Sequence, residues 1–189
     1  MERETAYKLV REKIKNKNLV NHCLAVEAIM KDTAVYLNEK KGNTNDIEKW
    51  AMAGLLHDID YESTKDDPER HSLEGSKMLE GLGLDSEIVY AVKAHNQVHG
   101  LKLRSDMDIC LYSADPLSGL IVASALIKPE KKLKAISDDF VLNRFKEKSF
   151  AKGANREQIK EIERAGIDLD TFVNIAFEAM LSVSDDLGL

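Results

Sequence analysis

Five histidines and a few carboxylates carry the reactive chemistry of this chain: His22, His57, His71, His95 and His99, with Asp58 directly after His57. Neutral imidazole and ionised carboxylate are good ligands for zinc, iron, manganese or nickel. Neighbouring residues inside a helix diverge by about 100°, so a His-Asp pair shares one ion most easily where a helix ends. Here a periodic run gives way to a polar stretch, Asp60 to Arg70, just after the pair. Asp58 has Ala53, Leu55, Leu56 and Ile59 for company, where an uncompensated carboxylate is costly. A bound cation removes that cost.

Asp115 poses the same question inside the most apolar segment of the chain, between Ala114 and Pro116 and near Leu111, Leu117 and Leu120. Such a carboxylate is usually paired or metal-bound. It also reads as the N-cap of a helix opened by Pro116, and at a helix junction both hold. His95 and His99 are four apart, but Asn96 stands where a zincin pattern requires Glu. Gly100 follows, so His99 reads as a residue suited to a helix C-terminus. His71, after Pro68 and Arg70, reads as a polar residue at a helix start.

The elements that must position these groups show a three- and four-residue apolar period. Ala6, Leu9, Val10 and Ile14 mark one helix; Leu24, Ala28, Val35 and Leu37 mark a second, stopped by Gly42. Thr44 or Asn45 should cap a helix from about Asp46 to His57. After an exposed loop at 60–70, helices follow at Ser72 to Leu82 and Asp85 to Gln97. A connector at 100–105 leads to a long apolar helix, Met107 to Ile127, ended by Pro129. Shorter helices are expected at Ser137 to Phe145, Arg156 to Gly166 and Leu169 to Leu187, and no strand, repeat or low-complexity segment is visible. The fold class is all-α. One domain, 1–189, is expected, with a core at 18–128 and a C-terminal helical extension at 129–189.

Composition agrees: 10 Gly and 3 Pro in 189 residues do not support a turn-dense sandwich or barrel. A chain of this length needs no metal staple to fold, so a metal site in it is functional. The net charge of -6 argues against non-specific binding to DNA or anionic lipid. Cys23 and Cys110 form no short-spacing motif, which excludes a disulfide scaffold or Cys-rich zinc site. Met1 to Lys8 lacks the apolar core of a signal peptide, and the apolar run Leu117 to Ile127 is too short to span a bilayer. A soluble, cytoplasmic protein is expected.

His22 in a helix, the run Gly54-Leu55-Leu56-His57-Asp58, and Asp115 in Ser113-Ala114-Asp115-Pro116-Leu117 together resemble the HD superfamily of metal-dependent phosphohydrolases. The resemblance spans residues 18 to 128 and is closest to small single-domain predicted hydrolases. It implies a bundle of about five core helices with His22, His57, Asp58 and Asp115 as metal ligands. His71 in His71-Ser72-Leu73-Glu74-Gly75-Ser76 and His95 in Lys93-Ala94-His95-Asn96 fall where the HDIG subgroup carries two further histidines. There they bind a second metal or contact the substrate phosphate. In place of that subgroup's glycine after His-Asp-Ile stands Asp60, and no signature of a cyclic-dinucleotide phosphodiesterase is present.

The chemistry implied is hydrolysis of a phosphomonoester or phosphoanhydride, in a nucleotide, by water on one or two divalent ions (Fe, Mn, Ni, Co or Zn). His57 and Asp58 are the implied catalytic pair, with Asp58 bridging two ions if two are held. Lys65, Lys93, Lys148, Lys152 and Arg156 are the candidate phosphate contacts, the last three in a basic run that also holds Arg144 and Lys146. That run also reads as a solvated face, and its Phe145 and Phe150 as a base-stacking surface. The rival reading is a non-catalytic nucleotide-binding sensor; the four core ligands being intact weighs against it. The expected partner is a small phosphorylated substrate, with no DNA and no membrane, and a homodimer is left open.

Overall fold

The computed structural model describes residues 1–189 as helices joined by turns, with no strand. In chain order the helices are α1 (Arg3–Lys13), α2 (Lys17–Lys41), α3 (Ile47–Leu56), α4 (Tyr61–Thr64), α5 (Leu73–Gly81) and α6 (Ser86–Ala94). They continue as α7 (Asp106–Leu126), α8 (Asp138–Lys146), α9 (Arg156–Lys160), α10 (Leu169–Ser182) and α11 (Ser184–Leu187). α2 and α7 carry buried residues all round rather than on one stripe, as central helices must. α2 packs on α3, α7 and α10, and α7 packs on α6, α8 and α9. One contiguous cluster of 43 buried apolar residues runs from Ala6 to Leu187.

Local chemistry sets the boundaries. Asp46, not Thr44 or Asn45, caps α3, its carboxylate accepting from Lys49 N at 3.1 Å. Asn45 is engaged elsewhere, its N–H held by Asn38 Oδ1 at 2.7 Å. α6 stops at Ala94, shorter than its apolar period suggests, because Asn96 turns extended and caps a 3-10 turn, Gln97–His99. The polar loop after His57 contains α4, where the Ser63 and Thr64 hydroxyls donate to the Asp60 carbonyl at 2.8 and 2.9 Å. Glu62 ties that turn to the α1–α2 corner by accepting from Lys15 N and Asn16 N at 2.5 and 3.0 Å.

The expectation that Pro116 could open a helix is corrected. α7 begins ten residues earlier at a capping box, where Ser105 Oγ accepts from Asp108 N and the Asp108 carboxylate accepts from Ser105 N. Pro116 lies inside α7, and its missing N–H deprives the Tyr112 carbonyl, one turn back, of a partner. Gln158 of α9 supplies one, its Nε2 donating to Tyr112 O at 2.9 Å. Asp115 is therefore a mid-helix carboxylate and not an N-cap. Two-thirds of the most apolar window of α7 is buried in the bundle, so its membrane-like length and composition reflect a core position.

Candidate metal centre

Four helices and two turns deliver the reactive side chains to one point. His22 comes from the first half of α2, His57 caps the C-terminus of α3, Asp115 projects from mid-α7, and His95 caps the C-terminus of α6. His71 lies on the turn before α5, next to Ser72, which is buried at φ 68. That left-handed conformation costs a non-glycine residue of order 1–3 kcal/mol. Ser72 Oγ donates to Lys93 O at 3.1 Å, which ties the His71 turn to the end of α6 beside His95. Gly54 brings His57 to His22: a Cβ there would sit 2.6 Å from the Val26 carbonyl oxygen, so α3 could not press this closely on α2.

The side chains form two ligand sets that share one carboxylate. His22 Nε2 lies 3.1 Å from His57 Nε2, 3.2 Å from Asp115 Oδ1 and 3.6 Å from Asp58 Oδ2. His57 Nε2 is also 3.6 Å from Asp58 Oδ2. On the other side, Asp58 Oδ1 is 3.3 Å from His71 Nε2 and 3.4 Å from His95 Nε2. His57, Asp58 and His95 are buried, whereas the Asp115 and His22 side chains keep 29% and 23% of their surface, so the centre opens on their side.

Each of the four histidines at the centre turns Nε2 inward and backs Nδ1 with a partner. His57 Nδ1 donates to Gly54 O at 2.8 Å and His95 Nδ1 to Val92 O at 2.6 Å, since a carbonyl can only accept. The Ser118 hydroxyl donates to Asp115 O at 2.9 Å, so at 2.9 Å it accepts from His22 Nδ1. Neutral His22 and His57 would then face each other with Nε2 lone pairs 3.1 Å apart. A metal ion between them, or a proton on His22 Nε2 shared with Asp115 Oδ1 at 3.2 Å, resolves that repulsion. Histidines backed at Nδ1 in this way are characteristic of metal ligands, and the residues present fit a divalent ion at each set.

Electrostatics agree. Burial holds His57 down to about 4, against the pull of Asp58, so it is a neutral ligand at neutral pH. Burial alone would also lower His22, but its hydrogen bond to Asp115 and the charges of Asp115 and Asp58 raise it instead. His71 is raised to about 9: burial opposes, but Asp58 and Asp60 outweigh it. Asp58 stays ionised although burial opposes that, because His57, His71, His95 and His22 surround it. Asp115 is likewise held below the usual carboxylate range, burial being outweighed by His22.

Asp60 is the residue that sequence reasoning undervalued. It is buried, accepts from His71 Nδ1 at 2.9 Å through Oδ1 and from Gly75 N at 2.6 Å through Oδ2. A Cβ at Gly75 would stand 3.1 Å from its Cγ, so the glycine admits the carboxylate. The signal was a carboxylate where the HDIG pattern has glycine. His99, in contrast, lies outside the centre and donates from Nε2 to His71 O at 2.8 Å.

The candidate phosphate contacts separate from the centre. Lys65 and Lys93 are exposed, with no side-chain hydrogen bond or ion pair. Lys148 and Lys152 line a different surface depression from the one that His22 faces. The Arg156 guanidinium donates to the Phe145, Phe150, Ala151 and Ala154 carbonyls at 3.2, 2.7, 2.9 and 2.6 Å. It knits the loop between α8 and α9 and is committed to it. Phe145 is buried in the core, which removes it from any base-stacking surface.

Comparison with known proteins bears on this geometry. A family model described as "HD domain" matches residues 19–140. An uncharacterized protein of Methanocaldococcus jannaschii is 32% identical over 95 residues, 50% of this chain and 54% of that protein. Ribonuclease Y of Desulfotalea psychrophila is 31% identical over 115 residues, 59% of this chain and 22% of the enzyme. Ribonuclease Y of Lawsonia intracellularis is 27% identical over 129 residues, 66% and 24% respectively. The chain thus spans about half the length of the archaeal relative and about a quarter of each ribonuclease. No solved structure matches.

Proposed function

Since the chain belongs to the HD-domain family, we propose that it is a metal-dependent phosphohydrolase acting on a phosphomonoester or phosphoanhydride of a nucleotide. The observation that carries this reading is Asp58, with one carboxylate oxygen beside His22 and His57 and the other beside His71 and His95. His22, His57, Asp58 and Asp115 would hold the first divalent ion, of Fe, Mn, Co, Ni or Zn type; Asp58, His71 and His95 would hold a second. When bound, such ions lower the pKa of a coordinated water and polarise phosphoryl oxygens.

The chain's own residues supply the rest. Neutral His57 and ionised Asp58 present lone pairs at neutral pH without a prior loss of protons. The Asp115 side chain pairs with His22 through Oδ1 and keeps 29% of its surface, so it would be placed to orient an attacking water as well as to hold the ion. Were only one ion held, His71, whose Nε2 faces Asp58 Oδ1 at 3.3 Å, would be available as a hydrogen-bond donor to a phosphate oxygen. Exposed Lys65 and Lys93 are the remaining phosphate contacts in this reading. A soluble, cytoplasmic setting belongs to the same reading, supported by the burial of α7.

A panel of nucleoside mono-, di- and triphosphates, offered to protein loaded separately with Mn, Co, Ni, Fe or Zn, tests it. Release of phosphate from one member is expected. Because two relatives are named ribonuclease Y, a short RNA belongs in the panel. Cleavage of that RNA with no attack on nucleotides would replace the monoester reading with a phosphodiester one. Metal binding without any turnover would point to a nucleotide sensor.

A further inference from the structure

A cavity of about 480 Å³ opens on His22 and is bounded by α2, α7 and the segment Leu187–Leu189. That volume falls in the range of small-ligand sites, roughly 300–1,000 Å³. His22 stands at one end, and Gly119, one helical turn beyond Asp115, forms part of the α7 wall. Asn18 and Asn21 supply amides from α2. Asn21 Nδ2 donates to Leu187 O at 2.8 Å, which holds the covering segment in place and leaves Oδ1 free. The Asn18 side chain has no partner in the protein.

Two features define what the cavity takes. Apart from His22 at the metal centre, no ionisable side chain lines it, so a charged group held away from His22 would lose hydration without compensation. The occupant is therefore uncharged. Yet it meets amides among apolar walls, and an amide pairs a donor with an acceptor as the edge of a nucleobase does. His22, whose side chain keeps 23% of its surface, belongs both to the metal centre and to the lining of this cavity, so a substrate with its phosphate at the centre can extend into it. We propose that the cavity beside His22 receives the nucleoside part of the substrate, and that Gly119 sets the size it admits. This inference rests on the nucleotide phosphohydrolase reading of the same centre.

Gly119→Leu tests it. A Cβ at that position meets nothing within 4 Å and the backbone is ordinary helix, so the variant should fold while its side chain fills the cavity. Ala123→Leu, one turn on, is the second variant should the first be unstable. Calorimetry with adenosine, guanosine, cytidine and uridine on the metal-loaded protein gives a readout independent of turnover. At least one nucleoside should bind the wild type, and the substitution should weaken it tenfold or more with metal content unchanged. In turnover, kcat/KM for the matching nucleoside monophosphate relative to acetyl phosphate should fall at least tenfold.

The proposal is overturned if no nucleoside binds the wild type, or if both variants bind it as the wild type does. Nucleoside binding that the substitution abolishes, in a protein that hydrolyses no phosphoester, would sink the hydrolase reading and leave the cavity assignment standing.

Discussion

The Asp58 carboxylate is buried among four imidazoles, and each of its oxygens serves a different pair. His71, in the second pair, depends on Asp60 for its orientation. Asp60→Asn should therefore weaken the second ion by about 10–100-fold, the usual cost of losing an outer partner, while the first ion stays bound. Metal titration calorimetry reads this as the loss of one of two binding steps. The proton on His71 gives a further test. Its folded value, about 9, exceeds its unfolded value near 6.5, so its contribution to stability is full below about 6.5 and lost as pH rises through 9. A metal must displace that proton, so affinity for the second ion should rise about tenfold per unit between pH 7 and 9 and then level off. An affinity flat across that range would show that no proton leaves His71 when the second ion binds. At this scale His57 and Asp58 were legible because they adjoin at a helix end. Asp60 was not, because its partners His71 and Gly75 lie 11 and 15 residues on and only the fold brings them near.

Between elements, the feature that most affects the centre is the repair of α7 at Pro116. In sequence Asp-Pro is a good helix start, but here Gln158 satisfies the Tyr112 carbonyl and the helix continues through Pro116. Gln158 lies 46 residues away and no local pattern announces it. Gln158→Ala should cost about 0.5–1.5 kcal/mol, the net worth of a hydrogen bond to a part-buried carbonyl that solvent can reach in its place. A denaturation curve shifted by that amount, with unaltered KM, is the expected result. No shift would mean that the carbonyl finds other satisfaction. A charge in a basic run says nothing about its partners, and Arg156 is consumed by backbone carbonyls that a helical reading of 156–166 does not foresee. By contrast, α7 was readable to within a residue at each end and α2 at its C-terminal stop, where Gly42 follows the helix in a left-handed conformation.

For the whole molecule, the all-α class followed from periodicity and from the scarcity of Gly and Pro. What periodicity does not reveal is which helix faces converge, so the cavity against α2 and α7 and its cover at Leu187–Leu189 emerge only from packing. The single core cluster reaching from Ala6 to Leu187 ties that cover to the same folded unit as the metal centre. A substitution at the centre should thus change metal content without dissolving the bundle. The most direct measurement is elemental analysis of wild-type and Asp58→Ala protein, loaded identically with Mn at about pH 8.5, with helicity checked by circular dichroism. The wild type should hold up to two ions per chain, and Asp58→Ala should hold essentially none at unchanged helicity. A wild type that binds no transition ion, or an Asp58→Ala protein that holds as much metal as the wild type, would contradict the account.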